Sequence, residues 1–275
     1  MRVSDATTPE IGVLLLKLVP QSSIRFNSAR SVHAALLRRI ELVNPEISRL
    51  LHDAPHGAPS SDHPWAISPL LGQPEHTAQG LNALPGRQYT IRVAALLPQV
   101  VQALDAAFDA DHPLGREPLF LESVPCHVIR EETGWETLAT YGHLLNTASP
   151  RRRIALRFLS PTGFRTARAG MPTPTPRLCL EGYLRKWTAF SGLSMPAEAI
   201  LGYAEEHLTV RRTQLRPASV RLGWSVEEGV VGWVEWWAEG GSPFLLRLVN
   251  ALANYASYCG TGMKTALGMG QTTRL

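Results

Sequence analysis

Apolar residues in the first fifty positions follow two different spacings. The run from Ile11 to Pro20 is apolar almost throughout and predicts a buried strand. From Ser31 to Leu42 the apolar residues recur at helical spacing, with most charged residues on the other side, and predict an amphipathic helix. Asn44 followed by Pro45 is typical of a helix start, so a second short helix is expected to end near His52.

Three further strands and one helix are predicted in the rest of the first half. The strands are Trp65 to Leu70, Gln88 to Leu97 and Leu119 to Arg130, and the helix is Pro98 to Ala110. The segment from Asp53 to Ser61 is rich in Ala, Pro, Gly and Ser and predicts a loop. The order is therefore β-α-β-β-α-β, which is the ferredoxin-like arrangement.

The second half repeats this order of elements. The predicted elements are a strand at Arg153 to Phe158, a helix at Leu178 to Phe190, a hairpin of Arg216 to Trp224 and Val230 to Trp237 that turns at Glu227-Glu228-Gly229, a helix at Phe244 to Tyr258 and a closing strand at Leu267 to Arg274. No self-similarity between the halves is visible in the sequence. The pattern nevertheless predicts an α+β protein of two tandem ferredoxin-like (RRM-like) domains, residues 1–130 and 131–275.

Composition restricts the class of protein. Of the 275 residues, 44% are apolar and 18% are charged, which is typical of a folded protein. The sequence has no uninterrupted apolar run long enough to span a membrane, and its first ten residues lack the order of a secretory signal. The three cysteines have no metal-binding spacing, so we expect reduced thiols and a cytoplasmic protein without a membrane partner.

The basic residues are nearly all arginine. The formal net charge is +4, and among 27 basic residues the lysines are Lys17, Lys186 and Lys264. Guanidinium groups bind phosphates in a bidentate manner and stack on bases, so an arginine-rich surface fits RNA. Codon use in a GC-rich genome would give the same composition. Charge therefore permits an RNA partner without establishing one.

Glycines are concentrated in the segment that precedes the closing strand. The backbone amides of such a loop can approach a phosphate closely, while a lysine and a threonine supply a cation and a hydroxyl. The spacing is not that of a P-loop. A connection that merely lets a helix and a strand pack would have the same composition. The candidate RNA-binding residues of this loop are Gly260, Gly262, Lys264, Thr265, Gly268 and Gly270.

The segment from Val230 to Leu275 contains the aromatic strand GWVEWW, the helix LLRLVNALANYASY and the ending CGTGMKTALGMG. These features resemble the C-terminal signature of the CRISPR repeat-processing endoribonucleases of the RAMP superfamily (the Cas-six type). The first half is similar to this family in its first strand, in Phe26-Asn27, and in the sequences LLHD and WAISPL. The resemblance covers both ends of the chain and is weakest from Arg130 to Phe158.

This resemblance implies two ferredoxin-like domains and binding of CRISPR repeat RNA within precursor crRNA. It also implies metal-independent cleavage without a cofactor, in which a ribose 2′-hydroxyl attacks its own 3′-phosphate. Such chemistry needs a base, an acid and a cation near the phosphate. The alternative is a catalytically inactive RAMP-type subunit that holds crRNA with other subunits of a CRISPR effector complex. An unrelated ferredoxin-like enzyme with a small substrate would leave the C-terminal signature unexplained.

The resemblance points to His52, in LLHD, as the catalytic histidine. The family often pairs this residue with a tyrosine and a lysine, but Leu37 occupies the aligned position of the tyrosine and no lysine follows His52 closely. His33 lies one helical turn before Leu37 and is a candidate for the missing acid or base, although it would also fit a helix surface. Arg38 or Arg39 is expected to replace the lysine at the phosphate.

Two other clusters of side chains suggest binding. His52, His56 and His63 lie near two aspartates, but Pro55 and Gly57 disfavour the helix that a shared metal ion would need, so no metal site is expected. In the aromatic strand, alternation places two tryptophans on one face, where they could stack on bases, and one on the other, where it would join the core. The tryptophans are Trp233 and Trp237 on the first face and Trp236 on the second.

Overall fold

Two antiparallel sheets, one from each half of the chain, contain most of the strands. The structure is a computed structural model that describes residues 8–26, 29–53, 62–78, 80–109, 111–164 and 173–275. The first half contains β1 (Ile11–Pro20), β2 (Ile24–Arg25), α1 (Ala29–Glu41), α2 (Pro45–His52), β3 (Trp65–Ile67), β4 (Glu75–Thr77), β5 (Gly80–Ala83), β6 (Tyr89–Ala95), α3 (Pro98–Phe108), β7 (Leu119–Leu121), β8 (Val124–Val128), β9 (Gly134–Ala139) and α4 (Tyr141–Thr147). The second half contains β10 (Arg153–Thr162), α5 (Pro176–Phe190), α6 (Ala197–His207), β11 (Leu208–Leu222), β12 (Ser225–Ala238), α7 (Pro243–Cys259) and β13 (Thr272–Arg274).

The first sheet has the strand order β3-β6-β1-β8-β7, and β9 also pairs with β1. Strands β1, β3 and β6 correspond to the first, second and third predicted strands, and β7 and β8 together correspond to the fourth. The predicted strands therefore lie in the order second, third, first, fourth, which is the ferredoxin-like order. The strand predicted at Leu119 to Arg130 is a hairpin of β7 and β8, because Glu122 and Ser123 adopt positive φ angles of 50° and 69° and reverse the chain. Neither residue type signals such a turn strongly.

Strand β1 lies in the middle of this sheet and is buried on both faces. Ile11 and Val13 point into a core shared with the second half, whereas Leu14 and Leu16 point into the core beneath α1 and α3. Alternation along a strand produces this division. Burial on both faces explains why the sequence of β1 is a nearly continuous apolar run.

The second sheet has the order β11-β12-β10-β13, which again corresponds to second, third, first, fourth. Two tandem ferredoxin-like domains are therefore confirmed. The hairpin turn predicted at Glu227-Glu228-Gly229 is wrong: Leu222 pairs with Ser225, so the chain turns at Gly223 and Trp224. Gly229 has a different role, because a Cβ there would lie 2.7 Å from the backbone of Thr162.

Two other predictions in the second half need correction. The closing strand predicted at Leu267 to Arg274 is limited to β13, and a 3-10 turn at Thr265–Leu267 occupies part of that range. Helix α6 was not predicted, although it buries Ile200 and Tyr203 against α5 and α7.

Helix α7 joins the two halves. It packs on its own sheet and also on β1, β3 and β6 of the first sheet. Trp187, Tyr141 and Tyr255 meet there with ring centroids 5.0–5.6 Å apart, in a core that includes residues of both sheets. None of the helices in the described part of the chain is long and apolar enough to cross a membrane. The halves therefore share one continuous core, and side chains from both can meet at its edge.

Candidate functional site

Three histidines from separate elements of the first half come together at one edge of this core. His33 lies on α1, His52 is the last residue of α2, and His63 lies just before β3. The ring of His33 packs on Trp65, two residues after His63, and Nδ1 of His63 bonds to the carbonyl oxygen of Leu51, the residue before His52, so the three histidines lie close to one another. We call these three residues the histidine cluster.

His33 is the histidine whose protonation is most strongly perturbed. Its ring packs at a tilt of 52° on Trp65, with 5.4 Å between the ring centroids. Burial, together with the charges of His63, His52 and Arg30, lowers the pKa of His33 to about 4. His33 is therefore neutral near pH 7 and has a ring nitrogen that can accept a proton.

His52 is far more accessible, with 70% of its side chain exposed. Its Nδ1 lies 3.0 Å from Oδ1 of Asp53. Because the carboxylate can only accept, Nδ1 carries a proton in this contact. His52 is therefore an accessible imidazole whose Nδ1–H group is held by a carboxylate.

His63 is held in a fixed orientation, which the sequence did not indicate. Its Nδ1 donates to the carbonyl oxygen of Leu51 at 3.1 Å, which leaves Nε2 as the acceptor in the neutral ring. Burial lowers the pKa of His63. The neighbouring Asp62 is fully buried and accepts from Arg185 of α5 at 2.6 and 2.9 Å. The segment that carries His63 is thereby attached to the second half of the protein.

A lysine also reaches the histidine cluster from the second half. Lys186 of α5 is only 3% exposed, and its Nζ donates to the carbonyl oxygen of Cys259 at 2.5 Å and to Oγ1 of Thr265 at 2.7 Å. Its charge lowers the pKa of His63. The first half has no lysine close after His52, but the fold places one from α5 next to the cluster.

The glycine-rich segment from Gly260 to Gly270 is shaped by close packing. Its glycines have positive φ angles, and Cβ atoms at Gly262 and Gly270 would overlap the carbonyl oxygens of Gly163 and Thr261. Several of its amides already donate to backbone carbonyls, including those of residues 261, 263, 269 and 270. These amides are not available to a phosphate, so the structure supports the packing interpretation for this part of the loop.

Lys264 is the residue of this segment best placed to meet an anion. It adopts a left-handed conformation with φ 53°, and its side chain is about one quarter exposed. Its Nζ pairs with Oε1 of Glu227 at 2.5 Å. It lines a cavity together with His63 and Arg185. Thr265, by contrast, is buried and is the partner of Lys186.

The two arginines expected at the phosphate lie elsewhere. Arg39 is 4% exposed and donates to the carbonyl oxygens of residues 114, 117 and 118 at 2.6–3.0 Å, so its guanidinium stabilises the fold and is closed to RNA. Arg38 is exposed, but it lines a groove with Phe120 and Glu122, on a different side of α1 from His33. The expected positions of Arg38 and Arg39 at the phosphate are therefore corrected.

The remaining sequence hypotheses have mixed outcomes. Trp236 is fully buried in the core, as alternation predicted, whereas Trp233 and Trp237 lie on the opposite, partly exposed face. In the segment that contains the candidate metal ligands His52, His56 and His63, both carboxylate oxygens of Asp62 accept hydrogen bonds from Arg185. His56 lies outside the described residues.

Comparisons with known proteins agree with this architecture. The family model of the CRISPR-associated endoribonuclease Cas6 matches residues 156–272. A Cas6 endoribonuclease of Streptococcus thermophilus is 26% identical over 128 residues, which are 46% of this chain and 52% of that relative. The match thus spans about half the length of the curated relative.

Solved structures match over nearly the whole chain. A product complex of Cas6 (TTHB231), a Thermus thermophilus protein, is 25% identical, covers 96% of this chain and all of its own, and superposes with a TM-score of 0.77. A product complex of Cas6 (TTHA0078) is 26% identical over 96% of this chain and 99% of its own, with a TM-score of 0.70. The fold is therefore that of the solved Cas6 structures. The chain is similar to Cas6 over nearly its whole length, as the sequence resemblance implied.

Proposed function

We propose that this protein is an endoribonuclease that binds CRISPR repeat RNA and cleaves precursor crRNA. The observation that carries the proposal is the convergence of three histidines from three elements beside Lys186 and Lys264. Solved Cas6 structures with the same fold include product complexes, and the curated relative is named an endoribonuclease, which supports the substrate class. The three cysteines are free and buried, which fits the cytoplasm as the compartment of this reaction.

The proposed reaction is a transesterification that needs no metal. Neutral His33 removes the proton of the ribose 2′-hydroxyl, and the 2′-oxygen forms a bond to the adjacent phosphorus. The bond between phosphorus and the 5′-oxygen then breaks, and that oxygen takes a proton from an imidazolium. The products are a 2′,3′-cyclic phosphate and a 5′-hydroxyl, and no atom of water enters.

The other two histidines have complementary roles in this proposal. His52 serves as the acid, because its exposed ring is accessible to the leaving oxygen and Asp53 orients it through Nδ1. His63 is fixed through Nδ1 by Leu51 and lines a cavity with Lys264, where its other nitrogen can contact the phosphate. Lys264 leaves its ion pair with Glu227 and binds the phosphate, where it stabilises the negative charge that develops on the phosphorane.

Cleavage of a labelled repeat RNA in EDTA tests the proposal. The wild type is expected to cut once and leave a cyclic phosphate, whereas His33→Ala, His52→Ala and His63→Ala should each slow the cut by about 100-fold or more. The matched control is His127→Ala, an exposed histidine on β8, which should cut like the wild type.

Two outcomes would contradict this reading. Activity that is lost in EDTA and restored by a divalent cation would exclude the metal-independent route. Tight binding of the repeat without any cut would identify the chain as the crRNA-holding subunit instead.

A further inference from the structure

A cavity of about 270 Å³ lies between α5 and the glycine-rich segment, directly beside the histidine cluster. The residues that matter to its chemistry are His63, Glu181, Gly182, Arg185, Met263 and Lys264. Since His63 and Lys264 belong to the proposed catalytic site, the cavity opens next to the position of the scissile phosphate. Of its other members, Glu181, Gly182 and Arg185 come from α5, and no contact with the RNA has been assigned to them.

Gly182 is the unexplained residue of this cavity. It lies in the interior of α5, where glycine destabilises a helix relative to alanine. A Cβ built at Gly182 would meet nothing within 4 Å among the residues that the structure describes, whereas one at Gly262 or Gly268 would collide with a neighbour. Packing among the described residues therefore does not require glycine at this position. What the glycine provides is open space on the wall of the cavity.

The polar groups around that space are held in place. Arg185 donates through Nε and one terminal nitrogen to the fully buried Asp62, so its guanidinium is fixed while about two fifths of its side chain is exposed. Glu181, one helical turn before it, is paired with Arg177 at 3.0 Å and is also partly exposed. The cavity therefore offers a fixed donor and an acceptor beside the thioether of Met263.

We propose that this cavity binds the nucleobase that flanks the scissile phosphate, and that guanine fits it best. A flat ring can lie against the backbone at Gly182, and sulfur and guanidinium groups pack favourably on aromatic faces. The Watson–Crick and Hoogsteen edges of guanine present acceptors to Arg185 and N–H donors to Glu181. This inference rests on the proposed function, since it assigns the base specificity of that same site.

Filling the cavity is the sharpest test. Gly182→Leu places a side chain in the open space, and the variant should fold with at least wild-type stability because leucine favours helix more than glycine does. Its matched control is Gly202→Leu on α6, where a Cβ also meets no atom of the described part of the chain within 4 Å. The probe is a repeat RNA with a 2′-deoxyribose at the cut site, so that binding is measured without cleavage.

A cycle of variants and RNAs then isolates the base. An abasic nucleotide at one of the two positions that flank the cut should weaken wild-type binding about tenfold. Gly182→Leu should weaken binding of the complete RNA by a similar factor and show little further loss with the abasic RNA. Inosine and adenine at that position should bind progressively less well than guanine, while Gly202→Leu should behave like the wild type.

The outcomes separate this inference from the proposed function. If the loss of affinity caused by Gly182→Leu and the loss caused by the abasic nucleotide multiply when the two changes are combined, the cavity is not the base site. Unchanged binding by Gly182→Leu would overturn the inference as well. Equal binding of all four bases, with the cycle otherwise as expected, would overturn the preference for guanine. Cleavage of the unmodified repeat by the wild type would still stand in each case. Failure of the wild type to bind the repeat at all would overturn both proposals.

Discussion

The buried position of His33 should make the stability of the protein depend on pH. Burial and neighbouring positive charges lower the pKa of His33 from 6.5 to about 4 in the folded protein. Between these two values the unfolded chain binds a proton at this site and the folded protein does not. Stability must therefore fall as the pH drops from 6.5 towards 4, and this contribution is constant above pH 7.

The size of the effect follows from proton linkage. With a pKa of 6.5 in the unfolded chain and about 4 in the folded one, the site destabilises the protein by about 2 kcal/mol at pH 5 relative to pH 7. Burial also lowers the pKa of His63, which acts in the same direction. A variant of His33 alone isolates its share, because the contribution of His63 remains in both proteins.

Urea denaturation of His33→Phe measures this share. Phenylalanine keeps an aromatic ring against Trp65 and cannot titrate. The difference in free energy of unfolding between variant and wild type should shift by about 2 kcal/mol in favour of the variant from pH 7 to pH 5. Leu37→Met, a substitution without a titrating group one turn along α1, should show no such shift. A difference that stays constant for His33→Phe would refute the buried neutral state of His33.

Three further measurements test other parts of the structure. Arg39→Met removes the donor of three carbonyl groups and should lower the free energy of unfolding by about 3 kcal/mol in urea, whereas the exposed Arg38→Ala should change it by less than about 0.5 kcal/mol. Gly268→Ala should lower the free energy of unfolding by about 3 kcal/mol, because the new Cβ would overlap that of Ala29 and the backbone has a φ of +96°. Gly86→Ala, which has open space and a φ of +74°, should lower it by about 1 kcal/mol. Binding of the repeat RNA should weaken about 20-fold between roughly 50 and 200 mM salt if three phosphates are contacted, and salt-independent binding would contradict phosphate recognition.

The order and type of most elements could be predicted from the sequence because their patterns are local. The continuous apolar run of β1 and the Asn44-Pro45 start of α2 are examples, and the Asn44 side chain does accept from the amide of Ile47. Turns were harder to place. Gly229 has the composition of a turn but lies within β12, because its lack of a Cβ serves a contact with β10 that no local pattern reveals.

The site was predictable only in part, for a related reason. His33 and His52 could be selected by resemblance and spacing, and both lie in the histidine cluster. Arg39 was misassigned because an arginine that bonds backbone carbonyls has the same sequence signal as one that binds phosphate. His63 and Lys186 were not assigned to the site, since each reaches it through contacts with residues far away in the chain.

The histidine cluster depends on contacts between the two halves of the protein. Asp62, next to His63, is bonded to Arg185 of α5, and the loop at Gly268 packs on Ala29 at the start of the helix that carries His33. The match to the Cas6 family model covers residues 156–272, which include α5 and the glycine-rich segment but none of the three histidines. The better-matched half thus supports and orients the proposed catalytic residues of the other half. It follows that substitutions at this junction should disturb catalysis without touching an imidazole, and that the histidines themselves must be tested one by one.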